Sequence, residues 1–127
     1  MEGQGPANPP AGGGGEKLKL ITCVVQRGRA DKLAKAAIEA GAGGATVFFA
    51  RGMGVRERLG LLGLAIVPEK EVLMIICHDR EVRPILTALT RAGDLDVPGH
   101  GIAFVTPIEA VVGFIPGSTL DDQLGEK

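Results

Sequence analysis

Two kinds of hydrophobic pattern alternate along this chain, and their order restricts the fold more than any single motif. Four short apolar runs cover residues 18–26, 45–50, 71–78 and 102–106. They are rich in β-branched and other apolar side chains, as strands with buried faces are. The first gap, at 31–41, sets Leu33, Ala36, Ala37 and Ala40 at helical spacing. The third, at 79–91, does the same with Val82, Ile85, Leu86 and Leu89. The middle gap opens on Gly52 and Gly54 and reads as a turn followed by a projecting loop. The order is β-α-β-β-α-β, two strand–helix–strand halves. It predicts an α+β, ferredoxin-like antiparallel sheet with both helices on one face. A short extra C-terminal strand is expected at 111–115.

Local signals support these boundaries. Asp31 suits an N-cap or the first turn of helix one, and Gly41 its end. Pro84 falls in the first turns of helix two, where a missing N–H costs little, and Ala92-Gly93 closes it. With 127 residues the chain has room for one domain, placed at 17–115. Residues 1–16 are mostly Gly, Pro and Ala and are expected to be a disordered tail. Residues 116–127 are polar and are expected to be a flexible C-terminal tail.

Charge and composition exclude several functions. The formal net charge is −1, from 14 basic and 15 acidic residues, so no strong field favours nucleic acid. There is no Trp and no Tyr to form a base-stacking platform. Cys23 and Cys77 stand inside apolar runs and read as buried reduced thiols. No nucleophile–base pair and no metal-ligand spacing is present, so neither an enzyme nor a metal site is expected. No apolar run is long enough to span a bilayer, and the N-terminus lacks a secretory pattern. A cytoplasmic protein follows as the expectation.

The sheet is apolar on both faces while both helices cover one. The bare face then needs a cover, which a homo-oligomer would supply. The loop stretch 59–67 is also unusually apolar for a surface and must pack on something. Gly52 and Gly54 can floor a phosphate or ribose site, and Gly99 and Gly101 can present backbone N–H groups to an anion. His100 lies between the latter two, Arg51 precedes Gly52, and Thr46 can reach a base edge. Plain turns, a strand threonine and solvated arginines are the structural alternatives.

In this order and separation, the segments Gly43-Gly44-Ala45-Thr46-Val47, Arg51-Gly52-Met53-Gly54 and Gly99-His100-Gly101-Ile102-Ala103-Phe104-Val105 resemble the P-II nitrogen-regulatory and P-II-like signalling family. The resemblance covers residues 19–115. It implies a homotrimer with nucleotide sites between subunits. It also implies a loop between strands two and three, here 55–67, that docks on a partner such as a membrane transporter. By that resemblance the binding residues are Thr46, Arg51, Gly52, Gly54, Gly99, His100 and Gly101. The chain departs from the pattern at charged positions. Ile102 stands where the family has a phosphate-binding lysine, Gly113 and Ile115 where it has arginines, and Val55 where an arginine follows Gly54. The loop is shorter and lacks the tyrosine that the family modifies. A triphosphate needs cationic partners, so AMP or ADP is the expected effector ahead of ATP. A structural oligomer that binds no nucleotide is the alternative.

Overall fold

The computed structural model describes residues 17–53, 69–113 and 119–124. The elements are β1 (Leu18–Gln26), α1 (Ala30–Glu39), β2 (Thr46–Arg51), β3 (Glu69–His78), a 3-10 turn (Asp79–Glu81), α2 (Val82–Gly93), β4 (Gly101–Ile108) and a short α3 (Leu120–Leu124). The sheet order is β2-β3-β1-β4 and every neighbouring pair is antiparallel. This is the ferredoxin-like βαββαβ arrangement.

The core lies between the helices and one face of the sheet. From β1 come Ile21, Cys23 and Val25, and from β3 Leu73, Ile75 and Cys77. Opposite them are Ala30, Leu33 and Ala37 of α1 with Ile85 and Leu89 of α2. Their alternation along the strands and their 3–4 residue spacing along the helices are the sequence pattern made physical. Full burial of each Leu or Ile contributes about 1.5–3 kcal/mol. The small residues on α1 let it approach the sheet closely.

Several ends are fixed by contacts that sequence does not display. Asp31 lies in the first turn of α1 but does not cap it, and Arg29 at the N-cap gives no side-chain bond. Glu71 of β3 does the work from across the sheet: its Oε1 accepts from the Ala30 N–H at 2.9 Å. At the other end, the Ala42 N–H reaches the Ala37 carbonyl at 2.9 Å and the Gly41 N–H that of Ile38 at 3.0 Å. This paired closure stops the helix and aims residues 43–45 at β2. Helix α2 runs through Gly93, and Asp94 takes the left-handed conformation (φ 49°). Gly93 is small for another reason. A Cβ there would lie 3.1 Å from Leu33 and 3.0 Å from Leu95.

The extra strand expected at 111–115 does not form over its described part, since Val111 to Gly113 belong to no strand. The register explains it. Ile108 already faces Leu18, the first residue of β1, so the chain beyond it runs past the start of that strand. Residues 114 and 115 lie outside the described residues. So do residues 1–16, Gly54 and the loop 55–67. Within the C-terminal tail, Leu120–Leu124 is helical.

The second face of the sheet is formed by the alternate residues. Leu20, Thr22 and Val24 of β1 share it with Met74 and Ile76 of β3, Ile102 and Phe104 of β4, and Thr46 and Phe48 of β2. Ile76, Ile102, Phe48 and Phe104 are all exposed. A contiguous apolar face of this kind marks an interaction surface.

Candidate functional site

One end of the bare face carries a cleft of about 720 Å³, between the α1–β2 connection and the end of β3. Gly43, Gly44 and Thr46 form one wall, and Met74, Ile76 and His78 form the other. Arg80 and Glu81 close its rim. The His78–Glu81 turn is held by a reciprocal cap. The His78 ring accepts from the Glu81 N–H, and the Glu81 carboxylate accepts from the His78 N–H at 2.8 Å. Such a box fixes the chain direction at this wall.

Gly43 and Gly44 have no internal reason to be glycine. A Cβ at either would meet nothing within 4 Å, and neither has a positive φ. Glycine is the residue that lets another molecule approach the backbone closely. Their place in the cleft wall makes that the physical reading.

The opposite end of the sheet holds the other residues expected from sequence. Arg51 ends β2 opposite Glu69, and Gly52 follows it beside the Lys70 side chain, which a Cβ would approach to 3.3 Å. Gly99, His100 and Gly101 lead into β4 at the same end, where Gly101 faces Val25. The Gln26 amide donates to the Gly99 carbonyl at 3.0 Å and ties this turn to β1. Arg27 pairs with Glu69 and stacks over the Phe49 ring at 5.3 Å. The hydrogen bond to Glu69 and its charge raise the Arg27 guanidinium above its already high value.

The 97–100 turn explains two of these residues without a ligand. The His100 N–H donates to the Val97 carbonyl at 3.1 Å, with Pro98 second and Gly99 third at φ 87°. That is a type II turn, which requires a residue with positive φ at its third position. Gly101 has φ 141°, and a Cβ on it would lie 2.6 Å from the Val24 carbonyl oxygen. The His100 N–H is committed to the turn, so an anion there would have fewer backbone donors than the sequence suggests. His100 Nδ1 is shielded from solvent with no hydrogen-bond partner among the described residues.

Within one chain these residues fall into two separate groups. Thr46 and Arg51 stand five positions apart, about 17 Å along β2. Arg51 and Gly101 share an end but lie on opposite edge strands, about 14 Å apart across three strand spacings. Sequence reasoning singled out Thr46, which lines the cleft, and Arg51, Gly52 and the 99–101 turn, which lie at the opposite end of the sheet, whereas Gly54 lies outside the described residues. It missed Gly43, Gly44, Met74, Ile76 and Arg80 as cleft walls. The adjacent glycines were the available signal, and the Met74 and Ile76 side chains looked like ordinary strand core.

Other chemistry finds little footing here. Among the described residues no group of three or more His, Cys, Asp and Glu side chains could hold a metal ion. Burial pushes the Cys23 thiol up to about 11. Burial does the same for Cys77, with added repulsion from Glu81 and Asp79. Thiols held neutral in this way are poor nucleophiles. No helix among the described residues is long and apolar enough to cross a membrane.

Comparison with known proteins agrees with this architecture. Among solved structures, the crystal structure of Arabidopsis thaliana PII bound to citrate is similar in fold. The TM-score is 0.59 at 20% sequence identity, over 76% of this chain and 83% of that one. No curated protein sequence matches the chain. The profile of the family described as nitrogen regulatory protein P-II matches residues 18–117, nearly the whole folded part. The chain belongs to the nitrogen regulatory protein P-II family.

Proposed function

We propose that this protein is a non-enzymatic regulator that works as a homotrimer, binds a small anionic effector where subunits meet, and reports it to a partner. The observation that carries the reading is the bare apolar face with a half-site at each end. Three copies packing these faces together would bury Ile76, Ile102 and Phe104. They would also bring the Thr46 cleft of one copy beside Arg51, Gly52, Gly54, Gly99, His100 and Gly101 of the next. The cleft walls Gly43, Gly44, Met74 and Ile76 offer close backbone and apolar contact to a flat base, and Thr46 a hydrogen bond to its edge. The effector we favour is an adenine nucleotide with one or two phosphates. Ile102 is exposed on the bare face and gives no charge where a third phosphate would need one. The loop 55–67 is the element we assign to partner contact, with a membrane transporter as the partner class, and we place the protein in the cytoplasm. Differential affinity of the effector for two loop arrangements, about 1–3 kcal/mol, is enough for signalling.

Titration calorimetry with AMP, ADP and ATP tests the effector. Binding of AMP or ADP at least as tight as ATP is expected, and ATP binding much the tighter contradicts the phosphate argument. Mixing Thr46→Arg and Arg51→Glu variants then tests the shared site. Each alone should bind poorly, and mixed oligomers should recover part of the binding. One observation favours a second reading, an oligomer without nucleotide: Gly99 and Gly101 are already explained by the chain's own geometry. Absence of any nucleotide binding by a stable trimer would select it.

A further inference from the structure

Among the described residues His78 is the one buried side chain of polar or charged type, at 6% exposure. It ends β3, lines the cleft, and caps the 3-10 turn from an extended backbone (φ −77°, ψ 154°). Ser, Thr, Asn and Asp are the usual residues at such a position. An imidazole differs from them in one respect: its charge changes between pH 5 and 8.

Only the neutral ring can serve as this cap. Neutral imidazole has one nitrogen that accepts a hydrogen bond, and imidazolium has none. A proton on the ring therefore leaves the Glu81 N–H facing a donor. The charged groups around the ring come from the turn and from β1. On the turn are Asp79, Arg80 and Glu81, and both acids act on the neighbouring Cys77 thiol. The Lys17 carbonyl accepts from the Asp79 N–H at 2.9 Å, and Lys19 of β1 pairs with the Asp79 carboxylate at 3.7 Å. The wall across the cleft, residues 43–46, carries no charge. With Asp79 held by Lys19, the Glu81 carboxylate is the acceptor left for an imidazolium. In turning to the ring it gives up the His78 N–H, so the second bond of the box goes with the first.

We propose that the His78–Glu81 box is a proton-operated latch on this wall of the cleft. With the ring neutral, both reciprocal bonds hold and fix Arg80 and Glu81 at the rim. With the ring protonated, both bonds break and the rim is released. The latch stands on the turn alone, whereas its effect on binding rests on the effector reading above. One pH unit below the ring's midpoint about one molecule in ten keeps the box, so binding that needs the closed rim weakens about tenfold.

Nuclear magnetic resonance of the full-length protein without ligand, from pH 8 to pH 5, provides the test. The His78 ring and the His78 and Glu81 amides should shift together along one titration curve. In His78→Asn, which keeps an acceptor but has no proton to take up, both amides should stay in place. A ring that is protonated while the Glu81 amide stays still overturns the proposal. So does a ring that remains neutral to pH 5, or amides that titrate unchanged in His78→Asn. Calorimetry with AMP then reads the consequence, each protein being compared with its own affinity at pH 8. One unit below the ring's midpoint the unaltered protein should have lost about tenfold more affinity than His78→Asn. Equal losses overturn control of the cleft by the latch. Absence of AMP binding at every pH counts against the effector reading alone, because the amide titration decides the latch without it.

Discussion

Replacing Gly101 by alanine isolates a glycine that the fold itself demands. The residue has φ 141°, and a Cβ there would lie 2.6 Å from the Val24 carbonyl oxygen and 2.9 Å from Val25 Cγ1. A side chain held in such a backbone region costs about 1–3 kcal/mol. The overlap adds a further ~1–3 kcal/mol, because the obstacle is strand backbone that must move. The expected loss is about 2–6 kcal/mol, a large share of the roughly 5–15 kcal/mol available to a domain. Urea unfolding followed by circular dichroism, with the slope unchanged, gives the number. A loss under about 0.5 kcal/mol refutes the steric argument. Gly43→Ala is the control. Nothing lies within 4 Å of its Cβ position and its φ is ordinary, so stability should move by no more than about 0.5 kcal/mol. The added methyl enters the cleft, however, so effector binding should weaken several-fold.

Other outcomes follow from the same contacts. Phe104→Ala removes a half-exposed ring from the bare face, about 90 Å² per copy, and should weaken self-association by about 2 kcal/mol per copy in a sedimentation dilution series. Glu71→Ala removes the carboxylate that caps α1 through Ala30, and should cost about 1 kcal/mol in denaturant midpoint analysis. The two thiols titrate near 9 when unfolded and about 11 when folded. The folded form therefore retains protons that the unfolded form releases. Stability should fall as pH climbs from about 9 toward 11, and disulfide exchange reagents at pH 8 should label both only after unfolding.

The strands and both long helices were legible because each has a period that its environment enforces. Ile21, Cys23 and Val25 alternate because one face of β1 is packed, and Leu33 and Ala37 recur because one stripe of α1 is. What escaped depends on register or on distant contacts. A strand at 111–115 looked apolar enough, but Val111 to Gly113 already lie past the point where β4 and β1 run out of register. Gly93 looked like a helix stop, and it is a packing site against Leu33, while Asp94 makes the turn. Glu71 read as a strand-start charge, and it caps a helix more than thirty residues earlier in the chain. For the candidate site, the glycine turns were visible, but which glycines serve the fold was not. That distinction needs the space around each Cβ. The separation of Thr46 from Arg51 by the length of β2 was implicit in the strand reading and explicit only in the register.

Closure of the bare sheet face by self-association should also complete the effector site. Sedimentation equilibrium of the unaltered protein and of Phe104→Lys, each with AMP titrated, decides whether it does. The unaltered protein should sediment at three times the 13.1 kDa chain mass. The variant should be a folded monomer that has lost AMP binding. A folded monomer that binds AMP as tightly as the unaltered protein would contradict it.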